Sequence, residues 1–109
     1  MPLIAREHQC GSESPDYFSR VLREDPETSA RLASPAPGLR VIEGHFNGSP
    51  LAVMLVDEGP TGPVVSALVV HPASRGRGVG STLLKQASTL LPGLSWPDEL
   101  AGLADKAGL

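Results

Sequence analysis

The sequence predicts a single α/β (α+β) domain over residues 1–109, a mixed, mostly antiparallel sheet flanked by helices. Three observations carry this. Asn47-Gly48 joins two apolar runs, the strongest two-residue hairpin signal, because both positions tolerate positive φ. Val64 to Val70 is nearly continuous in apolar residues, as expected of a strand covered on both faces. Leu83, Leu84, Ala87, Leu90 and Leu91 then form a stripe of helical period. With 40% hydrophobic and 19% charged residues the composition is globular.

The elements follow in order. Leu3 to Ala5 read as an edge strand and residues 11–14 as a loop. Ser14-Pro15 is an N-cap with proline at the first helical position, and Tyr17, Phe18, Val21 and Leu22 give a helix over 15–24. A second short helix is expected over 26–33, followed by a rigid SPAPG loop. Residues 39–46 and 51–56 form the hairpin, 57–63 a longer turn, and 64–70 a strand stopped by His71-Pro72. A helix over 82–91 ends at Pro92-Gly93. A short strand at 94–96 precedes a last helix opened by Pro97, Asp98 and Glu99.

Several function classes fall away. A net charge of -3 and four aromatic residues argue against nucleic-acid binding. The longest apolar run, Leu51 to Val56, is far short of the roughly 20 residues of a spanning helix. One cysteine, Cys10, gives no disulfide framework and no cysteine-based zinc cage. With no secretory pattern at the N-terminus, a cytoplasmic location is expected.

The chemistry concentrates in LVVHPASRGRGVGSTLL, residues 68–84. A glycine-rich turn opening a helix aims several backbone N–H groups at one spot, and the helix dipole adds positive potential. Gly76, Gly78 and Gly80 let a ligand approach the backbone, and Arg75 and Arg77 add charge. The physical reading is a pyrophosphate cradle; the bland one is a plain strand-to-helix connection. A Walker loop requires Gly-Lys-Ser/Thr, absent here, and the G-x-G-x-x-G dinucleotide fingerprint also fails. Val70, Pro72, Arg75, Gly76, Gly78, Val79, Gly80, Leu83 and Leu84 instead occupy V-x-P-x-x-R-G-x-G-(I/V)-G-x-x-L-L without a gap. That pattern resembles the acyl-CoA-binding motif of the GNAT N-acetyltransferase superfamily, and the element order matches that family over almost the whole chain.

The resemblance implies the acyl-CoA N-acyltransferase fold, with acetyl-CoA or another acyl-CoA as donor and an unidentified amine as acceptor. It places the pantetheine arm along Leu68, Val69 and Val70. The pyrophosphate falls on Arg75, Gly76, Arg77, Gly78, Val79, Gly80 and Ser81, so bulky substitution of Gly78 or Gly80 should weaken CoA binding. The base needed to deprotonate an ammonium is open. Glu43 is the only carboxylate in a predicted strand and His45 shares its face, so both are candidate catalytic residues; an exposed polar strand face is the alternative. Where the family has a tyrosine acid in its last helix, this chain has Ala104, and Tyr17 lies in the first helix.

The chain ends at Leu109, where the family adds its last two strands, so the fold is expected to lack them. The strand at 94–96 would then be an open edge beside Trp96, and a homodimer through residues 93–100 is expected. HFNGSPLAVMLV and VGSTLLKQASTLLPGLSW are also similar to the acetyl-CoA-dependent maturation factor of aspartate decarboxylase. That similarity implies a competing function, a non-catalytic acetyl-CoA sensor that regulates a partner enzyme. A domain serving assembly alone is a third.

Overall fold

A computed structural model describes residues 3–9 and 14–109. Cys10 and most of the loop expected at 11–14 lie outside the described residues. Four strands, β1 (Ile4–His8), β2 (Arg40–Phe46), β3 (Ser49–Gly59) and β4 (Gly62–Val70), form one sheet in the order β1-β2-β3-β4, every neighbouring pair antiparallel. The helices are α1 (Ser14–Tyr17), α2 (Pro26–Ala33), α3 (Val79–Leu90) and α4 (Ala101–Lys106).

Local chemistry sets these boundaries. Asp25 caps α2 by accepting from the Thr28 N–H at 3.0 Å, with Pro26 in the first turn. Asn47 and Gly48 take φ of 52° and 79° and close the β2–β3 hairpin as predicted. The longer turn expected at 57–63 is instead a second tight hairpin, with Gly59 paired to Gly62. A Cβ at Gly59 would lie 2.7 Å from Val64 Cγ2, so the chains approach this closely only with glycine there.

Other boundaries shift. Regular α-helix ends at Tyr17, not at 24, but the turns continue, and Phe18, Val21 and Leu22 still bury. Ser14 opens α1, and its hydroxyl meets His8 Nε2 at 3.0 Å. The cradle helix starts at Val79, three residues before the apolar stripe reveals it, and Leu90 of that stripe is 47% exposed. The last helix begins with a 3-10 turn, Asp98–Leu100, before α4.

Helices cover both faces of the sheet. On one, Leu3, Ile42, Met54, Leu83 and Leu84 form the core beneath α3 and α4. On the other, Phe18, Leu22, Leu32, Val41, Val53 and Leu55 pack beneath α1 and α2. β4 is covered on both faces, with Val65 in the first core and Val69 in the second, but less completely than expected. It is the outer strand of the sheet, and only Val65 and Val69 are buried. Ala67, Leu68 and Val70 line the openings described below.

The expected strand at 94–96 is a single parallel bridge. Val65 N–H donates to the Ser95 carbonyl at 2.9 Å, and Ser95 N–H to the Pro63 carbonyl at 3.0 Å. Trp96 is half-buried and packs on the chain's own core. The free apolar ring on which the dimer expectation rested is therefore already partly covered within the chain.

Candidate functional site

The site grows from the unpaired edge of β4. His71 N–H donates to the Leu51 carbonyl at 2.7 Å, so backbone alternation turns Val69 toward β3 as well. Leu68 and Val70 then present their N–H and C=O groups outward. Arg75 Nε reaches the Val70 carbonyl from that outer side at 3.3 Å. The sequence reading grouped Val69 with these two; its backbone belongs instead to the β3 ladder, and its side chain to the α1–α2 core.

Pairing on the outer edge stops at Val65, where β4 also changes register. Leu55 opposes Ala67 and Val56 opposes Val65, which leaves Ser66 as the extra residue of a bulge. Its hydroxyl donates to the Leu55 carbonyl at 3.3 Å and accepts from Arg31 at 3.0 Å. Arg31 also holds both Asp57 carboxylate oxygens, at 3.0 and 3.2 Å. The bend that carries β4 away from residues 95–97 is thus tied to α2.

Beyond β4, His71 Nδ1 accepts from the Ala73 N–H at 3.0 Å and starts a short 3-10 turn, Pro72–Ser74. Gly76 and Gly78 follow at φ of 78° and 79°, and α3 begins at Val79. The first intrahelical bond is Thr82 N–H to the Gly78 carbonyl, 3.0 Å. Val79, Gly80 and Ser81 therefore lead with N–H groups that have no partner within the helix. A cavity of about 180 Å³ opens here, lined by Leu68, Val70, Gly76, Gly78, Ser81 and Lys106 among others.

The roles within the cradle are uneven. Gly80 is helical, and a Cβ there would meet Leu103 Cδ1 at 3.3 Å and Val70 Cγ2 at 3.6 Å. Its smallness serves the contact of α3 with α4 and β4, and positive φ belongs to Gly78 but not to Gly80. Arg75 pairs with Glu24 at 2.9 Å, while Arg77 is exposed. Val79 points its side chain into the core.

Leu68 also borders a second cavity, about 260 Å³, between β4 and the segment after the bridge. Asp25, Ala67, Pro97, Glu99 and Leu100 line it. Asp25, Glu99 and Lys106 escape a reading by motif because they come from three separate elements. The sequence marks Glu99 only as part of a helix start and gives none of the three a site role.

Glu43 and His45 do not reach this edge. They lie on β2, about 10 Å from β4 at two strand spacings. Glu43 is 2% exposed, and opposite it on β1 Arg6 donates from Nε to Oε1. That bond pushes the Arg6 pKa further up. Glu43 Oε2 and His45 Nδ1 are buried without hydrogen-bond partners among the described residues.

The register slip after Gly44 leaves Leu51 of β3 as the extra residue, so Glu43 and His45 keep one face of β2, and Glu43 borders a cavity. That cavity, about 600 Å³, is completed by Arg6, His8, Asp16 and Tyr17. Tyr17 stacks on His8 with ring centroids 5.4 Å apart and planes 4° from parallel. Its phenol pKa is raised, first by burial and then by its approach to Glu43.

A family model described as the acetyltransferase (GNAT) family matches residues 6–95. No curated protein sequence matches the chain significantly. Among solved structures, the candidate N-acetyl transferase YhhK of E. coli, determined bound to coenzyme A, is 23% identical with a TM-score of 0.67; the alignment covers 97% of this chain and 86% of that one. An IAA acetyltransferase from Bacillus cereus gives 20% identity and a TM-score of 0.68 over 95% of this chain and 74% of its own. A ribosomal-protein-alanine N-acetyltransferase from Brucella melitensis gives 12% and 0.65, over 97% and 88%.

Proposed function

Because the chain belongs to the GNAT acetyltransferase family, we propose that it transfers an acetyl group from acetyl-CoA to an amine at the outer edge of β4. The observation that carries this reading is the continuity of two cavities through Leu68. One lies under the first turn of α3, and the other lies beside the unpaired end of β4.

The residues present fit the donor. A pyrophosphate suits N–H groups at a helix start, and the absence of a Cβ at Gly76 and Gly78 leaves the approach open. Arg75, Arg77 and Lys106 supply positive charge on the same rim. The outward N–H and C=O groups of Leu68 and Val70 suit the amides of the pantetheine arm. Acetyl-CoA supplies an activated thioester; this chain supplies a backbone N–H positioned to stabilise negative charge on the carbonyl oxygen.

An ammonium must lose a proton before it attacks. Asp25 and Glu99 are the carboxylates that border the β4 cavity. Glu43 and His45, two strands away, take part in proton removal only through an intervening relay.

Titration calorimetry with CoA and acetyl-CoA, followed by thiol release with a panel of amines, tests the proposal. Binding of both ligands and amine-dependent thiol release are expected. No measurable affinity for either ligand refutes the cradle, and binding without release for every amine refutes transfer.

A further inference from the structure

The Glu43 cavity is unused by the chemistry at β4, and its make-up is specific. A carboxylate that is 2% exposed has one oxygen held by Arg6 and the other buried without a donor among the described residues. That oxygen is itself covered and the Tyr17 phenol approaches the same carboxylate, so Glu43 acts on a group in the cavity through its negative charge. The remaining walls are Asp16, the stacked rings of Tyr17 and His8, and Arg6. Two carboxylates face one guanidinium, which is already engaged by Glu43. The local balance is therefore negative, and the rings offer π faces to a cation.

An ammonium matches each feature. It brings three N–H donors, no acceptor and a positive charge. A carboxylate or phosphate would meet Glu43 and Asp16 as like charges.

The location gives such a site a purpose. Asp16 and Tyr17 also line an adjoining cavity of about 340 Å³, together with Leu51, His71 and the cationic Arg20. His71 directly follows β4. Two cavities that share Asp16 and Tyr17 therefore extend from Glu43 past α1 to His71, the residue after the strand where transfer is assigned.

We propose that the Glu43 cavity binds a second, non-reacting ammonium of the acceptor, so that the preferred acceptors are flexible linear diamines and related polyamines. Glu43 is then a specificity residue, not the base. This rests on the acetyl-transfer reading for its purpose, but binding at the cavity is measurable without any CoA.

The test uses the full chain and two readouts. Linear diaminoalkanes and monoamines of matched length are titrated into isotope-labelled protein without CoA, followed by NMR. The same amines are then compared by KM in the thiol-release assay. Diamines should shift the Arg6, Tyr17 and Glu43 signals and show a KM at least about tenfold below the matched monoamine, near 1.4 kcal/mol of binding.

Glu43→Gln should abolish those shifts and bring the KM ratio to near one. Asp16→Asn, an exposed change that spares the buried pair, should shrink the ratio in the same direction. Diamine shifts elsewhere, no shifts, or a KM ratio that survives both substitutions overturns the proposal. Glu43-dependent binding with no thiol release for any amine refutes the transfer reading and upholds the cation site.

Discussion

Replacing Gly78 with alanine separates the cradle from the stability of the fold. Gly78 sits at φ +79°, where an L side chain costs about 1–2 kcal/mol. In the free protein a Cβ there meets only Ser81 Oγ, at 3.9 Å, so no packing clash adds to that cost. Gly48 provides a matched control. It has the same φ of +79°, lies in the β2–β3 turn, and would give a Cβ nothing to touch within 4 Å. Both alanine variants should therefore melt at similarly lowered temperatures, by about 4–8 °C per kcal/mol for a domain of this size. Only the Gly78 methyl enters the cavity at the start of α3. CoA affinity, measured by titration calorimetry well below both melting points, should fall at least about tenfold in Gly78→Ala, near 1.4 kcal/mol. Gly48→Ala should bind as the unmodified chain does. Equal affinity in the two variants would refute the cradle, whatever their melting temperatures.

Two further outcomes are expected. Tyr17 is the sole tyrosine, so its ionisation is read directly by ultraviolet absorbance. Burial and Glu43 raise its pKa, so the folded midpoint should lie above the ordinary value near 10, and Glu43→Gln should move it back down. The associated stabilisation is fully present below pH about 10 and is lost as pH rises through the folded pKa, because the unfolded chain gives up its proton first. An ordinary midpoint in the folded chain would show that Tyr17 does not approach Glu43. Leu84 is fully buried on α3, and Leu84→Ala should cost about 2–5 kcal/mol in denaturant unfolding, whereas Leu90→Ala should stay within about 0.5 kcal/mol; similar costs would contradict the packing of α3.

Much of the fold was legible because its signals are local. Asn47-Gly48 and the stripe through Leu83 and Leu84 each depend on residues a few positions apart. Three expectations failed where a distant element decides the outcome. The turn at 57–63 tightened because Gly59 permits close approach to Val64. The strand at 94–96 shrank to one bridge because the bulge at Ser66 bends β4 away. Leu90 continues the helical period but extends past the sheet it would cover.

The site divides along the same line. Arg75 to Ser81 are consecutive, so their pattern shows in the sequence. The orientation of Leu68 and Val70 does not, because it follows from the hydrogen bond between His71 and Leu51, on two different strands.

Glu43 shows how a residue can be picked out correctly and given the wrong surroundings. A lone carboxylate within a strand is conspicuous, and pairing it with His45 follows from the period of two. That period holds, since His45 lies opposite Ile4 of β1 as Glu43 lies opposite Arg6, but the partners that define Glu43 come from elsewhere. Arg6 arrives through the pairing of β1 with β2, thirty-seven residues away in sequence. Tyr17 and Asp16 arrive with α1, and His8 is held against Tyr17 from the facing strand end. Burial of a carboxylate is tolerated here because a guanidinium compensates one oxygen. The other oxygen is covered, with no hydrogen-bond partner among the described residues, although the Tyr17 phenol approaches the carboxylate. A residue placed only for stability would have both oxygens satisfied, or would be apolar, like the neighbouring Val41 and Val53 on the same face. What distinguishes Glu43 is therefore a buried carboxylate, compensated by Arg6 at one oxygen only, beside a cavity that Asp16 also borders.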